Sequence, residues 1–287
     1  MMLALLQRNI RIYFGNIFGV IMSCLGALIS FFIYIGFLQR TLEKSWGNVP
    51  HITEILDLWM LAGIVTIAGI TTSFQALGQL VKDKETRTAD DLSLTDISLP
   101  TRNFAYILAS VFVSLIMQIV TFAIMSIYFT AVDKISIPNN VYLLSGGFIL
   151  LGAISATLVN GVITLFIHSY TTFSRLSSII GAAAGFAVAT YMPYGTLTAH
   201  AQTLVKLIPS SYEAAALRSI LLDKVSPNFL TGNARTQMFN YLGVSYKIYG
   251  YRLARMDNAY MLLGMTALLT VIIIALSLTI AKSKNNV

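Results

Sequence analysis

Six stretches of this chain, at 17–38, 58–81, 104–129, 141–168, 176–194 and 259–281, contain no Asp, Glu, Lys or Arg. An α-helix rises about 1.5 Å per residue, so each run is long enough to cross a hydrocarbon layer of about 30 Å. Lipid offers backbone N–H and C=O groups no hydrogen bonds, which leaves helices as the natural spanning form for apolar runs of this length. The chain is 56% hydrophobic and 11% charged, against about a quarter charged for a soluble domain. The fold class expected is an all-α integral membrane protein with six transmembrane helices, forming a single transmembrane domain over 1–287.

Residues 1–16 carry Arg8 and Arg11 ahead of the first run. That run is too long for the core of a cleavable signal peptide, so it is expected to remain as a span. Before it, Leu3, Leu6, Ile10 and Tyr13 recur at helical spacing with Gln7, Arg8 and Arg11 mostly opposite, the pattern of an amphipathic helix lying at the interface. With the N-terminus in the cytoplasm, the short connections place Arg8, Arg11, Lys82, Lys84, Arg87, Arg102, Arg175, Lys282 and Lys284 inside, and Arg40, Lys44 and Lys134 outside. This positive-inside balance predicts a multi-pass cell-membrane protein with both termini and the 82–103 loop cytoplasmic.

The stretch 197–222 is apolar but interrupted by Lys206, Pro209, Glu213 and Arg218. Two short helices broken at Pro209 and dipping into the outer leaflet fit that pattern, within an extracellular or re-entrant segment 195–258. A seventh span is the alternative, and would reverse the C-terminus. Tyr241, Tyr246, Tyr249, Tyr251 and Tyr260 then read as an outer interfacial belt or as a substrate-contacting cap. Small residues from Gly181 to Gly185 predict a close helix contact of unspecified partner.

The charge-free runs disfavour ion-coupled transport, which places ionisable groups in the membrane. Gln75, Gln118 and Asn160 are the candidate polar cavity-lining residues, with interhelical hydrogen bonding as their other reading. His51, His168 and His200 are scattered, and Cys24 is the only cysteine, so no metal-ligand spacing and no intrachain disulfide are expected. Neither a G-x-S-x-G turn nor a G-x-x-x-x-G-K-[ST] phosphate loop occurs, so no catalytic residue is assigned and any ATP-driven work needs a separate subunit. The +7 formal charge is spread among loops, which argues against a nucleic-acid partner.

Between the second and third runs lie Lys82, Asp83, Lys84, Glu85, Arg87, Asp90, Asp91, Asp96 and Arg102, a mixed-sign docking surface or a solvated loop. Lys84 to Ser98, KETRTADDLSLTDIS, resembles the cytoplasmic signature of type-2 ABC transporter permeases, roughly K-E-S-G-T-L-E-L-L-L-S-T-P-V-S, with Glu85, Thr88, Asp90, Leu92, Leu94, Ile97 and Ser98 matching in kind. Arg87 stands where the pattern has glycine, and Asp96 where it has proline. Ile208 to Arg218, IPSSYEAAALR, resembles that family's N-P-L-T-Y-x-x-x-x-L-R run at Pro209, Tyr212, Leu217 and Arg218.

The resemblance implies the transmembrane subunit of an ABC exporter, paired with a second permease copy or a sister permease in membrane lipid. Two copies of an ABC ATP-binding subunit would hold the ATP and Mg that this chain does not bind. A coupling helix would sit at Glu85, Thr88, Asp90, Asp91, Leu92 and Leu94, capped by Thr86 or Thr88, with Asp90 and Asp91 near its N-terminal end. The cargo expected is amphipathic or lipid-like, such as a drug, peptide or lipid. Two other classes remain open from the residues alone: an ion-independent secondary transporter or channel, and a membrane-embedded lipid-modifying enzyme.

Overall fold

The computed structural model describes residues 2–47, 49–94, 97–137, 139–223 and 232–285. Its elements in chain order are α1 (Met2–Gly15), α2 (Ile17–Ser23), α3 (Leu25–Ile33), a π-helical turn (Tyr34–Leu38), α4 (Gln39–Ser45), α5 (Ile52–Glu85) and α6 (Thr88–Ser93). There follow α7 (Leu99–Val132), α8 (Asn139–Leu165), α9 (Tyr170–Ala187), α10 (Ala199–Leu207), α11 (Pro209–Asp223), α12 (Gly232–Tyr241), the strands β1 (Lys247–Ile248) and β2 (Tyr251–Arg252), and α13 (Arg255–Asn285). The two strands pair antiparallel, a small exception to the all-α expectation.

Five helical stretches are long and apolar enough to cross a membrane: Leu25–Ser45, Ile52–Glu85, Leu99–Val132, Val141–Leu165 and Arg255–Thr279. The architecture is that of a helical multi-pass membrane protein. The predicted run at 176–194 differs. Its helix, α9, begins earlier at Tyr170, includes Arg175 and a series of Ser and Thr residues, and ends at Ala187, so it is not one of the five. The run at 17–38 also changes: it breaks at Cys24, and the helix beyond the π turn continues to Ser45, carrying Arg40, Glu43 and Lys44 that the sequence assigns to a connection.

Helix α5 is the central post. Almost every side chain from Ile55 to Val81 is buried, because α3, α7, α8, α9 and α11 pack around it. The outer helices turn apolar side chains outward, as at Phe32 (67% exposed), Ile127 (70%) and Val271 (64%), the pattern expected when lipid rather than water is the solvent. Close approach between α3 and α9 rests on Gly26, where a Cβ would meet the Gly181 carbonyl at 2.9 Å. That names a partner for the small-residue face of α9.

The charged end of the bundle gathers several chain segments. Leu5, Leu80, Ala105 and Tyr106 form a cluster there, with Met2 and Leu92 packed against it. The first residue of α9 is at the same end, its backbone N–H donating to the Glu85 carboxylate at 3.2 Å. The far end of α9 runs into 188–190, where Thr190 lies against Gly63 of α5.

Helix α1 docks by a face other than the purely apolar one. Leu5 and Asn9 are buried, and Leu6, Ile10 and Tyr13 are partly covered, whereas Leu3 is 74% exposed. A polar anchor at Arg8 explains the rotation.

Candidate functional site

Asp83, near the end of α5, collects donors from three helices. Arg8 of α1 donates to both its oxygens, at 2.8 and 3.2 Å, and the Gln79 amide donates at 2.6 Å. The Tyr106 hydroxyl of α7 donates as well. The hydrogen bonds to Asp83 push the Arg8 pKa still higher, so this guanidinium stays charged. A buried carboxylate satisfied on both oxygens ties α1, α5 and α7 into one unit.

Helix α6 lies on that unit. Its N-cap is Arg87, in the left-handed region at φ 61°, and it makes no side-chain cap bond. The expected capping by Thr86 or Thr88 is therefore corrected: the two hydroxyls bond each other at 2.9 Å, and Thr86 also donates back to the Lys82 carbonyl. Asp90 and Asp91 do fall in the first turn, where the positive end of the helix favours them. Ala89 is buried, its carbonyl accepts a hydrogen bond from Arg102, and Leu92 packs onto the Leu5–Tyr106 cluster. Glu85, Asp90, Asp91 and Leu94 face outward, Leu94 being 88% exposed. The helix is thus held from beneath and presents two acids and one large apolar side chain above. Asp96 lies outside the described residues.

The predicted break at Pro209 is present, with Ile208 between α10 and α11 and Pro209 opening α11, where a missing N–H is harmless. Tyr212 joins the two helices by donating to the Lys206 carbonyl at 2.7 Å. Arg218 is fully buried and joins more distant parts. It donates to the carbonyls of Val188, Ala189 and Gly243 and to the Thr190 hydroxyl, with its guanidinium 5.2 Å from the Trp59 ring centroid. Trp59 in turn donates to the Leu242 carbonyl at 2.7 Å. The tyrosines divide: Tyr246 is buried in edge contact with Tyr194 and Tyr212, while Tyr249, Tyr251 and Tyr260 remain exposed.

The three candidate cavity residues separate too. Asn160 donates to the Ile70 carbonyl and the Ser73 hydroxyl, both at 2.8 Å, which bonds α8 to α5. Gln118 is fully buried against Gly69. Asn160 thus bonds two helices together, whereas Gln118 donates to Ser114 within α7 and only packs against α5. Gln75 accepts from Ser177 and lines an open groove of about 390 Å³ between α3, α5 and α9.

No protein-family model and no curated protein matches this sequence.

Sequence reasoning did not foresee the burial of two acids. Asp57 and Glu213 are both 0% exposed. Asp57 lies one residue before the second charge-free run and Glu213 lies on α11, outside all six, so counting charges within runs passes over both. Asp57 accepts from Tyr34 and from Gln39. Glu213 has no hydrogen-bond partner on either oxygen among the described residues. The six runs are free of charge as read, and the packed bundle around them buries these two carboxyls, which lie outside those runs. Among the described residues no group of three or more His, Cys, Asp or Glu could hold a metal ion.

Proposed function

We propose that this chain is the permease subunit of an ATP-driven exporter of the type-2 ABC class, resting on a separate ATP-binding subunit through α6. One observation carries the reading: a short helix fixed from below by Ala89 and Leu92, with Asp90, Asp91 and Leu94 left facing outward. Such a helix transmits a push. Force on it reaches α7 through the Arg102–Ala89 bond, and α5 and α1 through the Leu80 and Leu5 contacts. A two-state shift of these helices by a partner requires differential contact in the two states, which an exposed acid pair and Leu94 can supply.

Six crossings with both termini in the cytoplasm belong to the same proposal. From Glu85 to Gly63, α5 rises about 33 Å, and α9 with its short extension runs between those two levels. It would serve as the sixth crossing despite its Ser and Thr content, sheltered by Phe74, Phe173 and Gly26. In this arrangement α10 and α11 are re-entrant, since α11 is packed on α5, α8 and α13. The groove beside Gln75 and the outward apolar faces suit an amphipathic or lipid-like cargo. A lipid-modifying enzyme fits less well, because Asp83, the buried carboxylate at the charged end of the bundle, is saturated by four donated bonds.

Solubilisation from the native membrane tests the reading. An ATP-hydrolysing subunit should copurify with the chain, and should be lost from Asp90→Lys/Asp91→Lys while the permease itself stays folded. Purification without such a subunit, or full retention by the double variant, contradicts it.

A further inference from the structure

Glu213 is the most unusual side chain of the bundle. It sits in the second turn of α11 with both oxygens unpartnered among the described residues, and its carboxyl is pressed against Gly152, half-way along α8. A Cβ at Gly152 would overlap that carboxyl, so the glycine is what admits it. An isolated carboxylate in such surroundings carries a desolvation cost of several kcal/mol at least, and such groups neutralise. Binding a proton is the simplest way.

The neighbours offer no substitute for one. Helix α8 carries no charged side chain, and its titratable group is Tyr142, ten residues from Gly152. On α5, Asp57 is engaged by Tyr34 and Gln39, and Glu54 by His51. On α13, Arg255 binds Ser219 and Asp223, Asp257 accepts from the Ala254 N–H and from Tyr251, and Tyr260 is exposed. On α10, His200 is exposed, and Lys206 supplies the carbonyl that Tyr212 bonds. On α11 itself, Arg218 is occupied at 188–190 and at Gly243, and Asp223 pairs with Arg235 and Arg255. A metal cation would need several oxygen ligands. Opposite Glu213 stands a glycine whose carbonyl already accepts from Ser155.

We infer that Glu213 is a proton-binding site at the α8–α11 contact, loaded when the helices are packed and emptied to water when they part. The proton leaves as the carboxylic O–H breaks and returns from water on closure, with no other group consumed. Opening of this contact is thereby linked to proton release, whatever drives the opening. The inference does not depend on the role assigned to α6.

Isotope-edited infrared spectroscopy of the full chain in liposomes tests it. With carbon-13 in glutamate, only Glu43, Glu54, Glu85 and Glu213 report. A carboxylic-acid carbonyl band is expected at neutral pH, absent from Glu213→Gln and retained in a Glu43→Gln/Glu54→Gln/Glu85→Gln variant in which Glu213 is the last glutamate. That variant keeps the test decisive if Glu213→Gln fails to fold. A neutral-pH spectrum showing only ionised glutamate overturns the inference. So does an acid band that disappears from the triple variant.

Discussion

Arg8 and Asp83 lie 75 residues apart in sequence and meet through two hydrogen bonds of 2.8 and 3.2 Å, which fastens the N-terminal helix to the end of the central one. Asp83 is nearly inaccessible while Arg8 is about one-third exposed, so the pair is neither a surface bridge nor a dry one. Asp83→Asn removes the charge and keeps the shape. The variant is expected to lose about 1–3 kcal/mol of stability, the usual cost of a broken charge-assisted bond beside a half-buried partner. Thermal unfolding in detergent measures it, and α1 should become sensitive to protease before the rest of the chain.

Arg218 holds 188–190, Gly243 and Trp59 together from one guanidinium. Lysine keeps the charge but cannot fork to several acceptors. Arg218→Lys should therefore destabilise the bundle nearly as much as Arg218→Met, each by about 2–5 kcal/mol. Size-exclusion profiles after heating report the loss. Full rescue by lysine would show that charge alone matters there.

The pH dependence of stability follows from Glu213. A folded state that keeps a proton there, while an unfolded glutamate releases it near its ordinary pKa of about 4.3, binds more protons than the unfolded chain above that pH. Its contribution is complete in acid and declines as pH rises toward the folded-state value. The thermal midpoint of the native chain should fall between mildly acidic and alkaline pH. Glu213→Gln should lose that part of the slope, and equal slopes in the two proteins would refute the link.

Gly152→Val places a branched side chain where the Glu213 carboxyl lies. Overpacking of this kind costs typically about 1–3 kcal/mol. Combining it with Glu213→Ala should recover part of the loss, as expected for two side chains competing for one space. A thermal-shift double-mutant cycle measures the recovery.

The broad outline was legible because lipid forces simple sequence rules. Long runs without charge became helices at 52–85, 99–132, 139–165 and 255–285, and Pro209 marked a real helix start. What escaped the sequence depended on partners far away in the chain. The docking of α1 through Arg8 was not foreseen, because apolar periodicity says nothing of a pairing with Asp83 75 residues away. Threonine at 86 or 88 looked like a cap, yet Arg87 took the left-handed turn and the cap position. Asn160 and Gln118 were indistinguishable from cavity residues until Ile70, Ser73 and Gly69 were placed beside them. Charge counting also fails at Glu213, because a glycine on another helix makes its room.

The central claim is that the outward side of α6 meets an ATP-hydrolysing subunit, and Leu94, 88% exposed, is its most direct probe. A photo-crosslinking amino acid in place of Leu94, activated in native membranes, should yield one adduct with an ATP-binding protein, its yield changing on addition of a non-hydrolysable nucleotide. Adducts with lipid alone, or with proteins that bind no ATP, would contradict the account.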